Sequence, residues 1–152
     1  MAESKPTFIP RNLDFEQSVR TSFSKQPLMK LIGAELAKVL PGEVEIILPF
    51  KNDLTQHNGF LHAGILTTIV DNACGFAALS LMPKNASVLS IEFKVNFMSP
   101  GKGEKFLAKG KVVKPGRTIT FCSGEVISLN GDEQKLVATM TATMIMAQER
   151  RV

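Results

Sequence analysis

A chain of 152 residues with ordinary shares of apolar and charged side chains is large enough for one core and too well mixed for disorder. The net charge of +4 favours an anionic ligand, but no dense basic patch points to nucleic acid, and with no Trp or Tyr the ten Phe are left to pack. Two cysteines, Cys74 and Cys122, fit neither a disulfide framework nor a zinc site and are expected to be core thiols.

The start of the chain has no basic-then-apolar leader, so a cytoplasmic location is expected. Residues 1–11 hold two prolines and several polar side chains. They are expected to form a flexible tail before a single domain at 12–148, with a second short tail at 149–152. Asn12 or Asp14 can cap a helix running to about Ser24, with Phe15, Val19 and Phe23 on its buried side and capping-box spacing from Asp14 to Gln17. Pro27 suits the first turn of a short helix through Ile32, which Gly33 ends. Ala34–Leu40 and Glu43–Pro49 read as strands split by the tight-turn pair Pro41-Gly42.

The segment 60–82 then reads as one long apolar helix. Asp71 is the only Asp, Glu, Lys or Arg between Asp53 and Lys84. Within roughly 60° of it on a helical wheel lie Gly64, Thr67, Thr68, Cys74, Gly75 and Ala78, all small. Ile65, Leu66, Ile69 and Phe76 lie opposite. The bulky side is expected to pack on a sheet, leaving the acid in a strip that a backbone or ligand can approach. A carboxylate in such surroundings is rarely buried without a partner or a task; a hydrogen-bonded structural acid is the alternative. The length matches a membrane span of roughly 20 residues. The acid at mid-span, the lack of a second span and the strand-like remainder argue against one.

After Pro83 come four strand-like segments, 87–98, 104–114, 118–129 and 135–146. They are broken by Ser99-Pro100-Gly101, Pro115-Gly116 and the hairpin signal Asn130-Gly131. Alternation is strict from Ser90 to Phe97. The class is α+β, and the short links predict antiparallel pairing without fixing the strand order. One helix cannot cover both faces of six strands, so the outer face is either wet or covered by a second subunit.

Two features flank the long helix. Gln56-His57-Asn58-Gly59 precedes it, and His62-Ala63-Gly64 forms its first turn. A helix start offers unpaired N–H groups and a positive dipole end, which can hold a carbonyl oxygen that turns negative during acyl transfer. Tight packing of Ala-Gly is an equally good reading of the same residues. Ala63 and Asp71 are about 12 Å apart along a helix. An attacking group and an oxyanion donor must both lie about 3 Å from one reacting carbonyl. If these two residues cooperate, they do so from two antiparallel copies of the helix, and the enzyme is at least a dimer.

The run Gln56 to Gly64 followed by Asp71-Asn72 resembles the hotdog-fold acyl-CoA thioesterases, nearest to the phenylacetate-degradation (PaaI-like) branch. That pattern is an amide residue, a Gly, His-Gly-Gly, and an Asp nine residues after the His. Here His62 to Asp71 is nine, Gly64 is the second glycine, and Ala63 replaces the first, which is tolerable where only a backbone amide is used. Ser90 through Phe97-Met98-Ser99-Pro100 adds to the likeness, which spans residues 26–146.

The resemblance implies a six-stranded antiparallel sheet wrapped around one long central helix, with an N-terminal helical segment. It also implies edge-to-edge homodimers that commonly pair into homotetramers, an acyl-CoA substrate and no cofactor. Asp71 would be the general base or nucleophile, Ala63 the oxyanion amide with Gly64 beside it, Gln56 the amide that orients thioester or water, and Ser90 the supporting hydroxyl. His62 would position the turn and, with Asn58, line the substrate. His57 is either a solvated loop residue or part of the site. Arg117, then Lys114, would meet the coenzyme phosphates from a basic turn, with Lys84 and Arg150-Arg151 as weaker candidates. No metal is implied: the two histidines lie across a helix start without a cysteine or carboxylate cluster. A hotdog protein that binds acyl-CoA or acyl carriers without cleaving them is one alternative. A dehydratase or hydratase pairing His62 with an acid is another. The substrate is expected to carry a medium or long acyl chain or an aryl-acyl group, because Phe and Met can leave an adaptable apolar tunnel.

Overall fold

Glycines and prolines punctuate the chain where the sequence places them. The computed structural model of the protein describes residues 8–148, so the expected C-terminal tail with Arg150 and Arg151, and residues 1–7 of the N-terminal one, lie outside it. Helix α1 (Phe15–Ser24) buries Val19, with Phe15 and Phe23 partly covered. Helix α2 (Pro27–Ile32) begins on its proline and stops at Gly33, whose φ of 80° is the left-handed conformation that glycine adopts without strain. Asp14 precedes α1 but makes no side-chain cap. Asn12 takes that place, accepting the Asp14 N–H through Oδ1 and donating to the Ser18 hydroxyl through Nδ2, while Gln17 turns to Thr21. Of residues 8–11, expected in the tail, Phe8 and Arg11 touch the body while Ile9 is exposed. Phe8 joins the edge of the core, and Arg11 Nε donates to the Leu81 carbonyl.

Strands β1 (Glu35–Leu40) and β2 (Glu43–Pro49) form the first hairpin, and helix α3 (Ala63–Leu79) follows. At 17 residues α3 is shorter than the apolar run that contains it. No helix among the described residues is long and apolar enough to cross a membrane. Strands β3 (Ala86–Phe97), β4 (Lys105–Lys114), β5 (Ile119–Asn130) and β6 (Glu133–Gln148) complete one antiparallel sheet in the order β1-β2-β4-β5-β6-β3. The short link from β3 to β4 is not a hairpin, contrary to the expectation from its length: β3 crosses to the far edge and pairs with β6. The link instead braces the approach to α3. The Leu61 N–H donates to the Gly101 carbonyl at 2.8 Å, and a Cβ on Gly101 would stand 2.9 Å from the Leu61 oxygen.

The core lies between α3 and the inner sheet face. Val44, Ile46 and Leu48 of β2, Phe106 and Ala108 of β4, Val126 of β5 and Met140, Ala142 and Met144 of β6 are buried against Leu66, Ile69, Val70 and Ala73 of α3. Two glycines set how close the helix comes. Gly110 of β4 pairs with Gly124 of β5. A Cβ at Gly110 would lie 2.2 Å from the Ala73 carbonyl carbon and 2.4 Å from the Cys74 nitrogen. The helix backbone therefore rests directly on the sheet backbone. The turn between α1 and α2 reaches α3 as well, where the Phe23 and Phe76 rings meet at 6.0 Å.

On the outer face Glu45, Lys109 and Glu125 are cross-strand neighbours and form a charged ladder. At the far edge, β3 exposes Leu89, Ile91, Phe93 and Phe97, an apolar load that a soluble edge strand does not usually carry uncovered.

Candidate active site

Asp71 sits in the middle of α3 and faces β3. Its Oδ1 accepts the Ser90 hydroxyl at 2.7 Å. Strict alternation along β3 would put Ser90 on the same face as Glu92. A bulge at Ile91 prevents this: Ser90 pairs with buried Met144, and the next paired residue, Glu92, lies opposite Thr143. The bulge turns Ser90 inward to α3 and sends Glu92 outward, where it accepts the Thr143 hydroxyl. Burial pushes the Asp71 carboxyl above the ordinary carboxylate value, and the Ser90 hydrogen bond brings it part of the way back. A cavity of about 90 Å³ opens beside the pair.

Two of its polar lining residues carry no role in the sequence reading. Asn72 buries its Oδ1 with no donor among the described residues, while its Nδ2 reaches only the Thr68 carbonyl at 3.4 Å. Gln26 enters from the turn between α1 and α2. A signal for Asn72 exists in the sequence, since it is a lone amide next to a lone acid in an apolar run. Gln26 has none, because only the tertiary fold brings it there.

The small-residue strip around Asp71 is less open than the wheel suggests. Cys74 and Ala78 are fully buried. Cys122 donates its thiol to the Cys74 carbonyl at 3.5 Å, and burial pushes the Cys122 thiol up to about 12. Cys74 is raised also, by burial first and then by the nearby Cys122 and Asp71. Both remain protonated core thiols at neutral pH. Gly75 is the strip residue that borders the cavity, with Val88 Cγ1 at 3.9 Å from where its Cβ would stand.

The other group of candidates gathers at the start of α3. His62 is the N-cap, with an extended backbone (φ −61°, ψ 136°), and not a first-turn residue. Its Nδ1 accepts the Gly64 N–H at 2.9 Å, which needs that nitrogen unprotonated. The Gly64 amide is thus engaged in the cap beside Ala63. Ala63 is the first helical residue, so its N–H has no acceptor within the helix.

Gln56 belongs to a tight loop closed by the Thr55–Leu61 bridge, in which Gly59 has φ 82°. Its Oε1 accepts the Asn58 N–H, which leaves Nε2 as the outward donor. Asn58 Nδ2 lies 3.3 Å from His57 Nε2, and both side chains are exposed.

The candidate residues thus gather in two groups about 12 Å apart along α3. Asp71, Ser90 and the cavity form one, and Gln56 and the Ala63 N–H form the other. Lys114 and Arg117 join neither. They flank an exposed turn that packs beyond the C-terminal end of α3, where Pro115 and Gly116 border a hollow shared with Ala78 and Leu81. Lys84 is 3.6 Å from Asp14 in an exposed ion pair.

A family model described as the thioesterase superfamily matches residues 58–135. A thioesterase family protein from Silicibacter pomeroyi, known from a crystal structure, is 48% identical and superposes with a TM-score of 0.87, covering 88% of this chain and 98% of that one. Human acyl-coenzyme A thioesterase 13 is 32% identical over 104 residues, which are 68% of this chain and 72% of the human one. The E. coli PaaI protein from the phenylacetic acid degradation operon shares the fold, with a TM-score of 0.80 at 16% identity over 90% of this chain and 96% of that one.

Proposed function

This chain belongs to the thioesterase superfamily, and on that premise we propose that it hydrolyses acyl-CoA thioesters at a site shared by two copies of the chain. The observation that carries this reading is Asp71 itself. It is a half-buried carboxylate in an otherwise uncharged helix, raised in pKa, held by Ser90 through one oxygen and bordering a cavity. A carboxylate whose pKa burial has raised is a better base, once ionised, than an exposed one.

The two groups combine when a second α3 lies antiparallel to the first, so that Asp71 of one protomer faces Ala63 of its partner. In the base mechanism Asp71 takes a proton from water as the water oxygen attacks the thioester carbonyl. The carbonyl oxygen becomes negative and receives hydrogen bonds from the Ala63 N–H and Gln56 Nε2. Collapse breaks the carbon–sulfur bond, the coenzyme thiolate leaves, and the proton on Asp71 returns to it. In the nucleophile mechanism the carboxylate attacks first and water cleaves the resulting anhydride. Both use the same residues.

The apolar edge of β3 supplies the surface for such a dimer, and pairing of dimers into tetramers would cover the outer sheet face. Lys114 and Arg117 are assigned to the coenzyme phosphates, an exposed contact that rising salt weakens. A single domain at 12–148 in the cytoplasm completes the reading.

The test is thiol release from a panel of acyl-CoAs by the parent protein and by Asp71→Asn and Asp71→Ala. Loss of release in both variants is the expected result. Equal rates in all three would end the proposal, and binding without release in the parent would replace it with a non-catalytic acyl-CoA carrier.

A further inference from the structure

The cavity at Asp71 is too small for a medium or long acyl chain: at about 90 Å³ it falls well below the ~300–1,000 Å³ usual for ligand sites. It does not end blindly. Ser90 stands against Asp71 at its first point, and Val88 stands over Gly75 one helical turn further on. Gly75, having no side chain, leaves the space between α3 and β3 unfilled there. Beyond it the cavity meets Gln26 and Phe76.

On the other side of those two residues lies a groove of about 410 Å³ between the α1–α2 pair and β1. Gln26 lines both spaces. Phe76 lines the cavity, Phe23 lines the groove, and their rings touch at 6.0 Å. The wall between the two spaces is therefore one flexible amide side chain and one aromatic contact. Past it the groove is lined by Phe23, Met29, Ala34 and Leu36, which also pack on the core, with Arg20, Lys30 and Glu35 among its other lining residues.

We propose that this groove is the distal acyl subsite, and that Gln26 is the gate through which a long alkyl tail passes from the thioester at Asp71 along Gly75 and Val88 into it. The proposal rests on the acyl-CoA reading above. The occupant is the methylene chain of the substrate: only Gln26 and the Phe23–Phe76 contact part the groove from the site that holds the thioester, and Phe23, Met29, Ala34 and Leu36 give it apolar lining between the charged Arg20, Lys30 and Glu35. Joined, the two spaces reach the volume usual for a ligand site. A short acyl group stays within the first cavity and never meets Gln26. Gln26, Phe23 and Leu36 thus act on chain length and not on the chemical step.

Binding separates this from catalysis. The dissociation constants of butanoyl-CoA and tetradecanoyl-CoA are measured on Asp71→Asn, which removes turnover, and again after adding Leu36→Trp or Ser24→Trp to fill the groove. Ser24 is an exposed helix-end residue on the groove wall whose hydroxyl bonds only its own turn, so its variant keeps the test open if Leu36→Trp misfolds. Leu31→Trp on the exposed side of α2 is the control, at 76% exposure. The expected result is that tetradecanoyl-CoA binds more tightly than butanoyl-CoA, and that either filled variant lowers this preference tenfold or more while Leu31→Trp keeps it. A folded filled variant with the unaltered preference, or no preference to begin with, would overturn the groove assignment. If thiol release fails in the parent while the filled variants still abolish the preference, the hydrolase reading falls and the groove stands. Normal thiol release with an unmoved preference has the opposite meaning.

Discussion

The Gly110 position makes the sharpest demand on the fold. An added methyl would stand 2.2 Å from the Ala73 carbonyl carbon, 2.3 Å from its oxygen and 2.4 Å from the Cys74 nitrogen, where ordinary contact begins near 3.4 Å. The obstacle is helix backbone, which cannot rotate aside, so α3 must retreat by about 1 Å. Overpacking of this kind costs ~1–3 kcal/mol, and backbone against backbone belongs at the upper end. At about 2–4 °C per kcal/mol for a domain of this size, Gly110→Ala lowers Tm by about 6–12 °C. The functional cost follows from place. Ala73 and Cys74 are two and three residues past Asp71, so the retreat carries the carboxylate with it. A misplacement of ~1 Å reduces turnover by about 10²-fold.

Gly124→Ala is the paired control. Its methyl would meet Val70 Cγ2 at 2.6 Å and the Cys74 sulfur at 2.8 Å, both side-chain atoms that can shift. It should cost about 1 kcal/mol and spare most of the rate. Thermal melts and thiol-release kinetics on the two variants settle the matter. A Gly110→Ala protein with parental Tm and kcat, or one less affected than Gly124→Ala, would refute the claim that these glycines seat the helix.

Removing the Ser90 hydroxyl removes the interaction that lowers the Asp71 pKa, so in Ser90→Ala the acid limb of the kcat/KM profile moves to higher pH; an unmoved limb would dissociate Ser90 from the acid. The folded-state pKa of Asp71 is raised, so the native state holds this proton more tightly than the unfolded chain, and ionisation destabilises the fold as pH rises from the ordinary carboxylate value through the raised one. Asp71→Asn should therefore have a higher Tm than the parent at pH 8 and gain nothing below the ordinary value, as melts across pH would reveal. Ala63→Pro deletes one N–H at the first helical position, where proline is welcome, and the extended backbone of His62 suits the residue before a proline. Its Tm should stay near parental while kcat falls ~10²–10³-fold, the usual loss of one oxyanion donor; an unchanged kcat would exclude that amide.

Much of the architecture was legible because short-range chemistry marks it. Pro27, Gly33, Pro41-Gly42 and Asn130-Gly131 end elements where their backbone preferences require it. Periodicity marks the long helix and six strands, and the lone acid marks the centre of the proposed site. What escaped depends on contacts between distant segments. The bulge at Ile91 has no mark in a run that alternates perfectly, yet it alone brings Ser90 to Asp71. Nothing in the sequence marks Gly110 and Gly124 as the pair that lies under α3. The position of β3 beyond β6 depends on a link whose length suggests a hairpin. Gln26 borders the cavity only because the turn between α1 and α2 folds back onto α3. The cap between the Gly64 amide and His62 Nδ1 has no mark in the sequence either.

Mixing two inactive variants tests the shared site most directly. Asp71→Ala and Ala63→Pro proteins are unfolded together, refolded in equal amounts and assayed for thiol release. If Asp71 works with Ala63 of the neighbouring protomer, half of the dimers are mixed and each holds one intact site of two, so activity returns to about a quarter of the parental rate. If each protomer carries a complete site of its own, every site in the mixture keeps one lesion and the activity stays at the level of the two variants alone.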